Sequence, residues 1–487
     1  MKIQLRHYQK KVQLEASKAF QDGFKSQIWV MPAGSGKTFT AGDTIRRMVE
    51  QGKKVAFFCH KNDLITQSYN SFKMLNMDVG IISSQFAVYY NESNPVQVIS
   101  IPTLNARAKK ILENLNFDYI FLDECHHMGS NTWVKIFNHF VNEKNARAVG
   151  LTATPCRLDG KPLGQYFDKM ILGPSVKDLI AEGSLSKYRY FAPTTIDMSA
   201  AKKRGGDYKA EDVKEAINKA HIMGDIPKSW YEFAQGKRTI GFAPNTEQGM
   251  QIVRECQDAG IKCGWLDAND NEEERRKIIA QFADGEIDIL WNINLFSEGF
   301  DLSAQVGRDV PIEAVLLCRP TQSLSLYIQQ VTRALRKKPT TAIVIDFVNN
   351  YETHGFPCWD REWSLDKPQQ SKKAAENIEE YGVAITRCKK CYRAFEPSHK
   401  HCPFCKAERE KTAHEYKMEK KHKIKELEIK EKQEKKDKRK EFAKMLVKCK
   451  TRSDAVDTYC LHFEKDNRQK AAAHMSFAYR KIWERLH

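Results

Sequence analysis

Short apolar runs recur along the first 350 residues, separated by longer charged stretches. QIWVMP (27–32), KVAFFCH (54–60), VQVISI (96–101), YIFLDE (119–124) and AVGLTATP (148–155) form one series. They are rich in β-branched and aromatic residues and short, as buried strands of a parallel sheet are. Segments of helical character, such as FTAGDTIRRMVEQGK (39–53), lie between them. TIGFAP (239–244), CGWLD (263–267), DILWNI (288–293), AVLLCRP (314–320) and TAIVIDF (341–347) repeat the pattern. Strand alternating with helix predicts right-handed βαβ units, hence an α/β chain with two tandem doubly wound parallel sheets. Such sheets bind ligands beyond the C-terminal ends of their strands, and two in tandem leave a cleft between them.

The same pattern predicts domain boundaries. Residues 1–185 form a first α/β domain, 186–235 a connector or insert, and 236–350 a second α/β domain. Residues 351–385 read as a linker and 386–406 as a small cysteine-rich unit. Residues 407–450 read as a charged helix, with Glu426–Lys430 and Glu434–Lys438 at the i,i+4 spacing that supports an exposed helix. Residues 451–487, with Val456, Tyr459, Phe463, Phe477 and Trp483, read as a helical unit with an apolar face.

Charge narrows the partner. The formal net charge is +17, which favours a polyanion, most often nucleic acid, over a plain lysine-rich tail. Residues 406–450 hold 18 Lys/Arg against 10 Asp/Glu, so the excess is shared between the two domains and their extension. No apolar stretch approaches the roughly 18 residues of a membrane span, and the start, MKIQLRHYQKK, lacks the apolar run of a secretory signal. Thirteen cysteines without a disulfide framework fit a reducing, intracellular compartment.

Two stretches carry phosphate chemistry. MPAGSGKT (31–38) follows one predicted strand and opens a predicted helix. Gly34 and Gly36, on either side of Ser35, let backbone N–H groups approach phosphate; Lys37 reaches the β and γ phosphates and Thr38 ligands Mg²⁺. A full phosphate-loop pattern has glycine where this chain has Met31. FLDECHH (121–127) ends another strand, with Asp123 placed to hold Mg²⁺ through water and Glu124 to take a proton from the attacking water. A zinc site in FLDECHH is disfavoured, since adjacent strand residues face opposite ways and no nearby CxxC completes a ligand set. Cys125 reads as core packing. The strong metal signal lies elsewhere. CKKC (388–391) and CPFC (402–405) place Cys388, Cys391, Cys402 and Cys405 as a tetrahedral thiolate set for structural Zn²⁺.

Together these motifs resemble superfamily 2 helicases and translocases of the DExH kind, nearest the branch with type I restriction motor subunits and the transcription-and-repair helicase. The resemblance spans about residues 3–366. It implies two RecA-like domains; the zinc ribbon and the helical C-terminal extension follow from the cysteine spacing and the pattern beyond it. LRHYQ (5–9) is similar to the adenine-reading segment, which assigns Gln9 to the base and Arg6 beside it. FFCHKNDLITQ (57–67) and SIPTLNAR (100–107) resemble the strand-tracking motifs, which assigns Lys61, Gln67 and Thr103 to nucleic acid. His126 of DECH, Thr152 and Thr154 of TAT, and Gln329 of QQVTRALR (329–336) take coupling roles by the same resemblance. Arg275 falls among the nucleic-acid contacts, and Gly299 and Asp301 of LFSEGFDL (295–302) face nucleotide and nucleic acid. Gln329, Arg333 and Arg336 share one helical face, so Arg333 and Arg336 are arginine-finger candidates; the family's usual glycine is Thr332 here.

The implied activity is a nucleic-acid-dependent ATPase acting as a DNA helicase or translocase, with ATP, Mg²⁺ and structural Zn²⁺. RNA stands as the alternative nucleic acid. The competing functions are an ATP-switched nucleic-acid scaffold and the motor subunit of a restriction or defence complex. A monomeric motor without membrane attachment is expected, with the zinc ribbon or C-terminal helices open to a protein partner. The cytoplasm of a bacterial or virus-infected cell fits this picture.

Overall fold

The computed structural model describes residues 4–463, apart from 87–90, 92, 105–112, 158–160, 205–206, 221–223, 268–269, 294, 297–301 and 368–371. Gly299 and Asp301 therefore lie outside the described residues, as does 464–487 of the expected C-terminal unit.

In the first domain the strands are β1 (Ser26–Val30), β2 (Val55–Cys59), β3 (Val79–Ile82), β4 (Val96–Ser100), β5 (Tyr119–Asp123), β6 (Arg147–Thr152) and β7 (Lys169–Leu172). Among the described residues they pair in the order β3-β4-β2-β5-β6-β1-β7, all parallel. Side chains alternate across the sheet. Trp29, Phe57 and Phe121 join a core with Tyr8, Ile45 and Phe72 from helices His7–Gln21, Lys37–Glu50 and Asn62–Met74. Ile28, Phe58 and Ile120 point the other way, onto Trp133 and Ile136 of helix Asn131–Phe137. Both faces are buried, which is why these strands read as unbroken apolar runs.

The second sheet holds β8 (Tyr188–Phe191) and, beyond a short hairpin of β9 (Lys203–Arg204) and β10 (Asp207–Tyr208), β11 (Thr239–Phe242), β12 (Cys263–Leu266), β13 (Ile289–Asn292), β14 (Ala314–Leu317) and β15 (Ala342–Asp346). Its order is β12-β13-β11-β14-β15-β8, again parallel throughout. The stretch 186–235, expected as a connector or insert, thus supplies an edge strand. Its helices Ala210–Ala220 and Asp225–Phe233 place Ile217, Ile226 and Trp230 in the core beneath Trp291 and Leu316. As an edge strand β8 has exposed Arg189 between Tyr188 and Tyr190, which breaks the apolar run that marks the inner strands.

The stretch 351–385, expected as a linker, is also built into the fold. Arg361 is half-buried and donates to the backbone carbonyls of His354, Phe356, Pro357 and Trp359. Leu365 then packs on the first domain's core, and its carbonyl accepts from Gly164 N–H at 2.8 Å. Residues 356–366 therefore strap the second domain to the first. The cysteine-rich unit contributes hairpin strands β16 (Thr386–Arg387) and β17 (Ala394–Phe395). It caps the segment that leaves β8: Ala192 N–H donates to Tyr392 O at 2.7 Å, and Arg387 donates to the carbonyls of Ala192 and Pro193.

Among the described residues, 410–463 belong to a separate compact unit. Its helix Ala413–Leu446 begins with a capping box of Thr412 and Glu415. Helix Arg452–His462 folds back so that Phe442, Leu446, Ala455 and Val456 share a small core. Among the described residues no helix is long and apolar enough to cross a membrane.

Candidate active site

The functional side chains follow the C-terminal ends of parallel strands, as open α/β sheets require. After β1 the chain turns through Met31–Gly36 into helix Lys37–Glu50. Gly34 and Gly36 both have positive φ, 82° and 83°. A Cβ on Gly36 would lie 2.5 Å from Gln9 Nε2, so the close approach itself demands glycine. Gln9 Nε2 and Tyr8 Oη both donate to Ser35 O at 3.1 Å, and Ser35 Oγ donates to Pro32 O at 2.6 Å. Arg6 caps the same helix as Gln9 and reaches Tyr8 Oη at 2.8 Å. The expected base-reading pair thus also braces the phosphate loop.

β5 ends at Asp123, and β6 lies between β5 and β1, so the acids come close to Lys37. Lys37 Nζ is 3.8 Å from Glu124 Oε1. Burial, then the neighbouring Glu124 charge, push the Asp123 carboxyl up to about 7, against the pull of Lys37 and His60. A buried acid held this way gains most from a cation beside it. Glu124 itself sits in the left-handed region at φ 50°, a conformation costly for a non-glycine residue. Cys125–His127 form a 3₁₀ turn rather than continuing the strand. The alternating-face reason against a metal at FLDECHH does not apply here. Cys125 does pack in the core beside Gly150 and Phe167.

His126 Nδ1 lies 3.2 Å from Thr152 Oγ1 and 3.3 Å from Glu124 Oε2. Thr152 spends its own proton on Thr154 O at 2.8 Å. With a hydroxyl so committed and a carboxylate as neighbours, Nδ1 carries the proton, an assignment made from the hydrogen-bond network. Motif residues from β5 and β6 are thereby joined in one buried chain.

A cavity of about 360 Å³ is lined on one side by Gly34, Gly36, Lys37, Thr38, Asp123, Glu124 and Arg6. Thr332, Arg333 and Arg336, from helix Leu324–Leu335 and its C-terminal cap, line the opposite side. Thr332 fits because its hydroxyl folds back onto Ile328 O at 2.7 Å within its own helix. Gln329 is buried near the same helix face, and among the described residues its Nε2 finds no hydrogen-bond partner. Phe39, Leu64 and Lys337 also line this cavity, and none of them is a site candidate from the sequence.

A second cavity, about 1060 Å³, runs between the domains. Lys61 and Thr103 line it from the first domain, Arg275 and Arg276 from the second, and His60 and Phe86 add rings. Gln67, expected on nucleic acid with Lys61, lines the smaller cavity instead. Leu64, Gln67 and Ser71 share one face of helix Asn62–Met74, whereas Asn62, Asp63 and Thr66 face the groove. Thr103 Oγ1 accepts from Ser84 N–H at 3.0 Å.

In the cysteine-rich unit the Sγ atoms of Cys388, Cys391, Cys402 and Cys405 all lie within 4.8 Å of one another. The four are free thiols. The Ala407 amide lowers the Cys405 thiol, while burial and crowding raise Cys391. A set of four converging soft donors, none disulfide-bonded, fits a tetrahedral metal. Among the described residues no other group of three or more Cys, His, Asp or Glu converges in this way.

Comparison with known proteins bears on this geometry. Residues 2–157 match the family model of the type III restriction enzyme res subunit, and residues 218–338 that of the helicase conserved C-terminal domain. The chain is 31% identical over 393 residues to a 51.5 kDa protein of a Lactococcus phage, covering 80% of this chain and 78% of that one. It is 26% identical over 362 residues to IRC3 of Saccharomyces cerevisiae, assigned as an ATP-dependent helicase, and spans about half (51%) of that protein's length and 71% of its own. The DNA-bound structure of the ATP-dependent Type ISP restriction-modification enzyme LlaBIII shares the fold, with a TM-score of 0.53 at 17% identity over 71% of this chain and 28% of that one.

Proposed function

The chain belongs to the superfamily 2 helicases and translocases, an ATP-hydrolysing, nucleic-acid-binding family, and from that premise we propose that it is a DNA-dependent ATPase that moves along or unwinds DNA. The single observation that carries the reading is the smaller cavity, walled by the phosphate loop and two acids on one domain and by Arg333 and Arg336 on the other. ATP is the substrate such a wall fits. Lys37 and the loop amides hold its phosphates. Thr38 and Asp123 would hold Mg²⁺, which when bound neutralises charge between the β and γ phosphates. Glu124 orients and deprotonates the attacking water, and His126, held by Thr152, lies against the Glu124 carboxylate with Nδ1 3.3 Å from Oε2. Arg333 and Arg336 stabilise the charge that builds on the transferred phosphoryl group.

Because the γ phosphate touches both domains, its presence favours the closed cleft and its loss the open one, the differential affinity that any such cycle needs. Two buried polar groups support a cleft that closes further. Among the described residues Gln329 Nε2 and Thr154 Oγ1 have no hydrogen-bond partner, a state costing roughly 1–3 kcal/mol each, and domain closure can supply partners. The larger cavity, with Lys61 and Arg275 on opposite walls, is the phosphate-tracking groove. DNA is preferred over RNA through the likeness to type I restriction motors, and no residue here is assigned to a 2′-hydroxyl. Cys388, Cys391, Cys402 and Cys405 would hold Zn²⁺ in a purely structural role.

The test is ATP turnover with and without DNA, beside Lys37→Ala and Glu124→Gln. Wild type should turn over many ATP per chain and faster with DNA. Glu124→Gln should bind ATP yet lose turnover by at least about 100-fold, the usual lower scale of general-base catalysis. Equal rates with and without DNA would defeat the motor reading.

A further inference from the structure

His127 carries no role in the mechanism above, yet its ring is central to a cluster of tilted rings. Its centroid is 4.5 Å from that of His126 and 4.5 Å from that of His60. Trp133 closes the cluster, 5.9 Å from His127 and 6.4 Å from His60. His60 follows β2, the three histidine–acid residues follow β5, and these strands are neighbours, so the sheet itself puts the rings side by side. The ring planes are tilted against one another, by 37° for His126–His127 and 52° for His60–His127, and they form no metal-capable set among the described residues.

One end of the cluster lines the groove, and the other contacts Glu124, which lines the smaller cavity. His60 lines the groove beside Lys61 and Thr103. His126 holds Glu124 Oε2 and Thr152 Oγ1. Glu124, at φ 50°, is kept in a backbone state that exists only while its surroundings over-determine it. A close-packed cluster passes on displacement because it has little free volume to absorb it.

We propose that His127 is a positioning residue that couples occupancy of the groove to the placement of Glu124, by ring contact with His60 on one side and His126 on the other. This rests on the reading of the groove as a nucleic-acid site. A strand phosphate or base against His60 presses the cluster, and His126 transmits the shift to the carboxylate. The coupling is reciprocal: bound ATP tightens the groove by the same factor by which a bound strand tightens the ATP site.

The experiment uses the full chain with His127→Ala, which removes both ring contacts, and His127→Phe, which keeps a ring and removes its nitrogens. Four quantities are read for each: basal ATPase, ATPase with a saturating DNA oligonucleotide, oligonucleotide affinity, and affinity for a non-hydrolysable ATP analogue with and without oligonucleotide. His127→Ala should keep the wild-type basal rate and oligonucleotide affinity while losing stimulation by about fivefold or more, the low end of ordinary coupling. The analogue's affinity should no longer respond to oligonucleotide. His127→Phe should restore most of the coupling, since contact and not a proton carries it. If wild type is stimulated and His127→Ala is stimulated equally, the coupling role is overturned and the function reading stands. If basal and stimulated rates fall together, His127 merely supports the Glu124 turn. A wild type indifferent to DNA removes the function reading, and the coupling role with it.

Discussion

Single residues in this chain hold unusual states that neighbours enforce. His354 is one. Its ring is fully buried, its Nε2 lies 2.9 Å from Thr321 O, and it stacks on Tyr327 with centroids 5.0 Å apart. Burial, with some repulsion from Arg361, holds its pKa down to about 4 against an ordinary 6.5. The folded state therefore refuses a proton that the unfolded chain accepts. Stability from His354 is complete above about pH 6.5 and drains away as pH falls toward 4. Between pH 7 and 5 the loss is about 2 kcal/mol. Asp346, raised to about 6 by burial, titrates the opposite way in the same domain. It does so in wild type and variant alike and cancels in a comparison. The stability gap between wild type and His354→Gln should thus narrow by about 2 kcal/mol from pH 7 to pH 5, measured by urea unfolding of the second domain. A gap that stays constant would mean His354 titrates normally.

At the scale of elements, the cysteine-rich ribbon is joined by hydrogen bonds to the chain leaving β8. β8 is the last strand of its sheet, and the backbone just past it is satisfied by Tyr392 and Arg387 of the ribbon. Phe191 stacks on Phe233, whose ring meets Tyr392. A ribbon of this size has too little core to hold its shape without metal. Stripping the metal with a chelator, or Cys388→Ser, should therefore release more than the ribbon. Amide hydrogen exchange should speed up by at least about tenfold in β8 and β15, which corresponds to roughly 1.4 kcal/mol of local opening. β1, β5 and β6 should exchange as before. Unchanged exchange in β8 would reduce the ribbon to a bystander.

The sequence made some elements plain and hid others for a physical reason. Strands buried on both faces, such as β2 with five buried residues in a row, announce themselves as apolar runs. β3, β7 and β8 sit toward the sheet edges, and they escaped the pattern. β7 and β8 carry exposed residues, Lys169 and Leu172 in one and Arg189 in the other. In the same way GSGKT and DECH were legible because their chemistry is local in sequence. The nucleotide-side position of Gln67 was not, because one turn of helix Asn62–Met74 decides which cavity a side chain meets.

Across the whole molecule, the net charge is +17, and the groove sets Lys61, Arg275 and Arg276 beside Asp63, Asp270 and Glu272. Lys61 and Arg275 lie more than 200 residues apart in sequence and line one groove. If Lys61 neutralises one phosphate, Lys61→Ala should weaken binding to all sequences alike and reduce the slope of log K against log salt by about 0.7–0.9. Fluorescence anisotropy across a salt series reads this directly, and an unaltered slope would take Lys61 off the strand. The strap from Arg361 to Leu365, which ties the second domain to the first, is also a property of the whole.

By itself the sequence determined the chemistry and the architecture: two parallel α/β units, a phosphate loop, a pair of acids, two arginines and four thiols. Those follow from spacing and hydrophobic period, which are local quantities. Only the tertiary structure decided which residues meet. It put Arg333 and Arg336 opposite Lys37, moved Gln67 to the nucleotide side and folded 186–235 into the second domain. It also gave His127, silent in the sequence, rings on both sides, because the order of β2 and β5 in the sheet is fixed by long-range pairing that no local pattern encodes.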